Sequence, residues 1–180
     1  MKTLKLLTVA LITAAPLSVL PAAAQSVGEQ TGVNAVLGVS PSTTDFVTQA
    51  AVSGMFEIQS SELALERGDA ATKAFAQQMI TAHRKASEEL KGLVASANIN
   101  VTLPATLDSA HQETMDDLRK LQGAEFNEEY IDEQVDAHED AVSLFERYAK
   151  GGDNAALKAW AAKMLPELKH HLDMAKKLDK

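Results

Sequence analysis

From Thr44 onward the chain repeats apolar side chains at intervals of three and four residues, the period of a helix that buries one face. Phe46, Val47, Ala50, Ala51, Ile58, Ala64 and Leu65 form one such stripe, and Phe75, Ala76, Met79, Ile80, Leu90, Leu93 and Val94 a second. Ile131, Ala141, Val142, Phe145 and Ala149 form a third, and Trp160, Met164 and Leu172 a fourth. Between the stripes stand helix stops and starts: Gly68 then Asp69, Gly123, and Gly151-Gly152 then Asp153. The pattern predicts long helices from Thr44-Asp45 to Gly68, from the Asp69 cap to about Asn98, from Ala124 to Lys150, and from the Asp153 cap to the C-terminus. Residues 99–106, with Pro104, read as a connection, followed by a short helix from Leu107 to Gln122 that Gly123 closes. Pro166 falls inside the last helix and is expected to kink it. No run alternates with the two-residue period of a strand.

A partial internal repeat ties the helices into two hairpins. Lys73-Ala-Phe-Ala-Gln-Gln-Met79 matches Lys158-Ala-Trp-Ala-Ala-Lys-Met164, each a few residues after a Gly-Asp helix start. Two related hairpins joined by a long connection with a short helix describe an all-α, ferritin-like four-helix bundle.

The N-terminus has a different pattern. Lys2 and Lys5 precede the apolar run Leu6 to Leu20, and Pro21 and Ala22-Ala23-Ala24 follow it, the order of a cleavable signal peptide. The expected cut falls after Ala24. The run is shorter than the roughly 20 apolar residues of a spanning helix, and no other stretch is long enough, so the mature chain is expected to have no integral membrane span. The expected organisation is a signal peptide at 1–24, a flexible leader at 25–43 rich in Gly, Val, Ser and Asn, and the bundle domain at 44–180. The expected location is periplasmic or secreted.

Composition narrows the partners. Loss of Lys2 and Lys5 with the signal lowers the 17 Lys and Arg to 15 against 25 Asp and Glu, moving the net charge from −8 to −10. So acidic a surface argues against nucleic acid as a partner. With no Cys there is no disulfide, no thiolate metal site and no lipoprotein attachment. Any metal ion is left to His, carboxylate or Met.

Projecting each long helix at about 100° per residue shows which polar side chains face inward. Glu57 lies within the apolar arc of the first helix, His83 within that of the second, and His138 among Ile131, Ala141 and Phe145. His171 lies between Trp160 and Met164, whereas His170 points away. At about 1.5 Å per residue from the hairpin turns, all four inward groups fall nearer the middle than the ends of a bundle about 40 Å long. One ionisable group from each long helix is therefore expected to converge on the interior.

The chain at this point resembles a family of exported helical proteins catalogued as domain of unknown function 4142, assigned to the ferritin-like fold. The resemblance runs from about Asp45 to Leu178 and is carried by Gly54-Met55-Phe56-Glu57, by Phe75 to Met79 with His83, and by Gly123-Ala124-Glu125-Phe126 with Tyr130. It continues through His138 with Leu144-Phe145-Glu146, then Leu165-Pro166 and His171-Leu172-Asp173-Met174-Ala175. It implies that Glu57, His83, His138 and His171 occupy the family's motif positions, and it implies no reaction. The chain departs from the family at Ala82, Asn127 and Ala137, where members commonly carry Asp.

Two readings of the inward cluster compete. In one it is a hydrogen-bonded polar core, since a lone buried carboxylate costs several kcal/mol and is neutralised instead. In the other, Glu57, His83, His138 and His171 hold one Zn, Cu or Fe ion, because imidazole and carboxylate suit these metals and bundle interiors host them. A di-iron centre needs four inward carboxylates and inward Glu-x-x-His pairs, and the one such pair here, Glu167 to His170, points outward. Met79, one turn before His83, would bias the site toward copper, although Met79, Met164 and Met174 read first as core filler. His111 reads as a core or connection residue.

No nucleophile elbow, phosphate loop or Ser-His-Asp arrangement supports an enzyme. The first functional reading is a non-enzymatic envelope bundle acting through interaction or stress protection. The alternative is a metal-binding protein, and a metal-dependent redox enzyme comes third.

Overall fold

The computed structural model describes residues 26–30 and 32–179, and the expected signal segment lies outside them. Seven helices follow in order: α1 (Val27–Gln30), α2 (Val33–Leu37), α3 (Thr43–Arg67), α4 (Ala70–Ser96), α5 (Ser109–Leu118), α6 (Gly123–Gly151) and α7 (Ala155–Leu178). No strand occurs among the described residues. The fold is the all-α bundle expected, with α3, α4, α6 and α7 as its four long helices and α5 in the central connection.

Local chemistry sets the helix starts. Ser42 accepts a hydrogen bond from the Asp45 backbone N–H, and Asp69 accepts one from that of Thr72, each side chain satisfying a donor the first turn leaves free. The cap of α7 is Asn154, which accepts from Ala156 and Leu157, rather than the expected Asp153. Asp153 is turned instead toward Thr43 Oγ1 and Tyr148 Oη at the start of α3 and the end of α6. Gly68 stands at the first hairpin turn because a Cβ there would lie 2.7 Å from the Ala64 carbonyl oxygen. Gly123, expected to close the short helix, opens α6 at φ +59, a left-handed conformation that costs glycine little. The short helix accordingly stops at Leu118, four residues before the expected end. Pro166 lies within α7, on its exposed side.

Helices α3 and α4 form one hairpin and α6 and α7 the other, and the two pack through α3 against α6 and α4 against α7. Phe46 at the start of α3 stacks on Tyr148 at the end of α6, while Ser61 near the end of α3 bonds Tyr130 near the start of α6, so this pair is antiparallel. The connection from α4 to α6 must then run the length of the bundle, and α5 packs on α3 along the way. Arg67 fastens its far end by donating to the Arg119 and Leu121 carbonyls at 2.8 and 2.9 Å.

Two apolar clusters fill the interior. One joins Phe46, Val47, Leu90, Phe145, Tyr148 and Trp160, and the other joins Phe56, Phe75, Met79, Met115, Phe126 and Tyr130. Of the six core anchors expected, Phe46, Phe75, Leu90, Phe145 and Trp160 are buried and Leu172 is half-buried. The repeat places its aromatic residues in equivalent interior positions of different clusters, Phe75 in one and Trp160 in the other.

The stretch expected as an aperiodic leader carries the two short helices α1 and α2. They are too short to show a period, and contacts distant in sequence hold them. Half-buried Glu29 accepts two hydrogen bonds from Arg147 of α6, at 2.9 and 3.1 Å, and Ser26 N–H donates to Asp45. Among the described residues, no helix is long and apolar enough to cross a membrane.

Candidate metal centre

On α4, α6 and α7 the two apolar clusters take their residues from opposite ends of each helix, and a histidine stands between. His83 lies between Met79 and Leu90, His138 between Ile131 and Ala141, and His171 between Leu168 and Ala175. The three imidazoles thus form a polar layer between two hydrophobic ones. Their ring centroids are 5.5, 5.6 and 5.8 Å apart, a nearly equilateral triangle. One ring nitrogen from each lies within 4.8 Å of one from each of the others. His170, one residue from His171, is exposed, as the helical projection requires.

The hydrogen bonding leaves one nitrogen of each imidazole in this layer without a protein partner. His83 Nε2, His138 Nε2 and His171 Nδ1 are each buried without a protein hydrogen-bond partner. For His138 the reason is visible: its Nδ1 lies 2.8 Å from the backbone carbonyl of Gln134 one turn earlier, a contact that requires the N–H there. The lone pair is then on Nε2, the arrangement in which a metal-binding histidine is oriented through its other nitrogen.

Glu57 is fully buried, and its Oε1 is 3.6 Å from His138 Nδ1. It therefore converges with the histidines as expected but sits behind His138, on the side away from Nε2, and is not one of the three clustered donors. The helical projection shows direction but not which edge of an imidazole a neighbour meets. Gln134 and Ser60, both fully buried beside this pair and joined by a 3.3 Å hydrogen bond, were missed by sequence reading. Their signal was present: Gln134 is one turn before His138, and Ser60 one turn after Glu57, on the same inward faces. His111 packs against Phe56, ring centroids 5.2 Å apart and planes tilted by 59°, and pairs with Asp108, outside the cluster.

Burial, reinforced by His138 and His171, holds the His83 imidazolium well below its ordinary range. Burial, with His138 and His170, lowers His171 to about 4. Burial pushes the Glu57 carboxyl up, against the opposing pull of His138, Gln134 and His111. Neutral imidazoles are the form that binds metal, so His83 and His171 are ready to coordinate without first losing protons.

The same shifts predict a pH dependence of stability in the metal-free protein. Unfolded His83 and His171 take up protons near 6.5 but resist them when folded, so their contribution is complete above 6.5 and lost as pH falls, for His171 through about 4. Glu57 acts in the opposite sense, because its folded form keeps a proton above the ordinary 4.5. Two imidazoles against one carboxyl leave the first effect dominant, at up to about 1.4 kcal/mol per pH unit for each group. Thermal melts should show a lower Tm near pH 5 than near pH 7. A Tm that rises on acidification would contradict the neutral pair.

Comparison with known proteins adds two findings. The family profile described as "Domain of unknown function (DUF4142)" matches residues 28–178. Among solved structures, the chain is similar to one titled "CopM in the Cu(II)-bound form", with a TM-score of 0.65 and 16% identity over 78% of this chain and 97% of that one. At that identity the likeness is one of fold. No curated protein sequence matches.

Proposed function

The chain belongs to the DUF4142 family, whose description assigns no activity, and from that premise we propose that it is a metal-binding bundle holding one copper(II) ion on His83, His138 and His171. The observation that carries this reading is the set of three buried imidazoles, each with a bare ring nitrogen, clustered within 4.8 Å. A buried polar group left unpaired costs roughly 1–3 kcal/mol, so three on neighbouring rings are a large penalty unless something binds there. Metal–nitrogen bonds of about 2.0–2.1 Å ask of these side chains only a small inward rotation. Copper(II) stands highest among the divalent first-row metals for nitrogen donors, and the likeness to a copper-bound structure supports the same choice.

In this reading Glu57 is not a ligand. It holds His138 from behind and offsets part of the ion's charge. The Lys2, Lys5 and Leu6 to Leu20 pattern supports export, which places the function in the bacterial envelope as non-enzymatic copper buffering. A polar core without metal is the competing reading.

The deciding experiment uses protein purified without a histidine tag, stripped of metal and titrated with copper(II) and with zinc(II). One equivalent of copper should bind, resist competition from zinc and raise the Tm by an amount that grows with free copper. A protein that takes up neither metal at one equivalent excludes the proposal.

A further inference from the structure

A cavity of about 50 Å³ lies against the imidazole layer, with His83 and His171 in its lining and His138 outside it. Its walls on α3 and α4 are small side chains, Ala50, Ser53 and Gly54 facing Ala82, Ala86 and Ser87. Gly54 packs so closely that a Cβ there would come within 3.3 Å of Ser87 Oγ. Larger apolar residues, among them Leu90, Phe145 and Met164, line the remainder. At roughly 10–15 Å³ for each water-sized occupant, the space holds a molecule of about three or four heavy atoms.

Resting on the copper reading above, we propose that this cavity is a binding site for a small monoanion, which enters along the seam between α3 and α4 and takes the coordination position the three histidines leave open. Three protein ligands leave a four-coordinate ion one position short, and no fourth His, Asp or Glu donor belongs to the cluster among the described residues. Charge selects the ligand. Neutral imidazoles leave the ion its full double positive charge, and Glu57 is the one carboxylate buried beside them. A single additional negative charge completes neutrality in a site where uncompensated charge costs several kcal/mol. Besides the two imidazoles, the Ser53 and Ser87 hydroxyls give the cavity polar groups for the anion, and the exposed Glu167 also borders it. Hydroxide and linear three-atom anions fit both the size and the charge.

Azide is the probe. Titrated into the full chain loaded with one equivalent of copper(II), it should add a saturable charge-transfer absorption at one azide per copper. Ala86→Leu fills the cavity without touching a ligand. It should keep one equivalent of copper and weaken azide binding at least tenfold. Ser53→Val narrows the cavity from the opposite helix and gives an independent reading if Ala86→Leu fails to fold, with the same direction of change expected. Copper binding without any azide response, or equal azide affinity in wild type and both variants, would overturn the cavity proposal and leave the copper site standing. A wild-type chain that takes up no copper would overturn both.

Discussion

His171→Ala is expected to lower copper affinity by at least about 100-fold and to bring bound copper to background after dialysis, whereas His170→Ala should leave both unchanged. The two residues are adjacent, equal in chemistry and on the same helix, so the comparison isolates direction. His171 is buried, with a bare Nδ1 and its ring centroid 5.5 Å from that of His138, while His170 is exposed. Losing a group that only supports a ligand typically costs 10- to 100-fold, and losing a ligand should cost at least the upper figure. His83→Ala and His138→Ala should match His171→Ala. Glu57→Gln separates the two kinds of role: behind His138 rather than among the donors, it should weaken copper about tenfold while keeping the one-to-one stoichiometry. Copper content measured by elemental analysis on dialysed protein decides among these. Equal losses in His170→Ala and His171→Ala would mean adventitious surface binding. If the layer is only a polar core, His83→Leu will change stability while copper remains at background in every variant, wild type included.

The second large effect is structural. Phe46→Ala should destabilise the protein by about 3–5 kcal/mol, the usual cost of removing a fully buried phenylalanine. Phe46 has no solvent exposure, stacks on Tyr148 with centroids 3.9 Å apart, and meets the edges of Phe145 and Trp160 at 5.0 and 6.1 Å. Those partners come from α6 and α7, so the substitution opens a cavity where three of the long helices meet. Urea denaturation followed by circular dichroism should show the midpoint shift, and Phe46→Leu should cost less than about 1.5 kcal/mol. Phe46 belongs to the apolar cluster on one side of the imidazole layer. The folded variant is therefore expected to keep its copper stoichiometry. A loss below about 1 kcal/mol would show that the aromatic cluster does not hold the two hairpins together.

Helix content and the inward residues were legible because both are local properties. A stripe such as Phe75, Ala76, Met79, Ile80 fixes a face whatever packs against it, and Asp69 caps a helix through a bond three residues away. Errors arose where a local signal was decided by a distant partner. Asp153 had the chemistry of a cap but meets Thr43 and Tyr148, leaving the role to Asn154. Glu29 gave no sequence signal, because its value lies in Arg147, 118 residues away. The helices α1 and α2 escaped for the same reason.

The sequence by itself determined that four long helices each turn one ionisable group inward, since 3.6 residues per turn fixes a side chain's bearing about its own axis. It also determined that His170 faces water. Only the tertiary structure decided how those bearings combine. Helix rotation, height and side-chain rotamer, set by packing of the two apolar clusters, bring the rings of His83, His138 and His171 together and place Glu57 beside His138 Nδ1. Helical periodicity is a property of one chain segment, while the distance between two rings on different helices depends on every side chain packed between them.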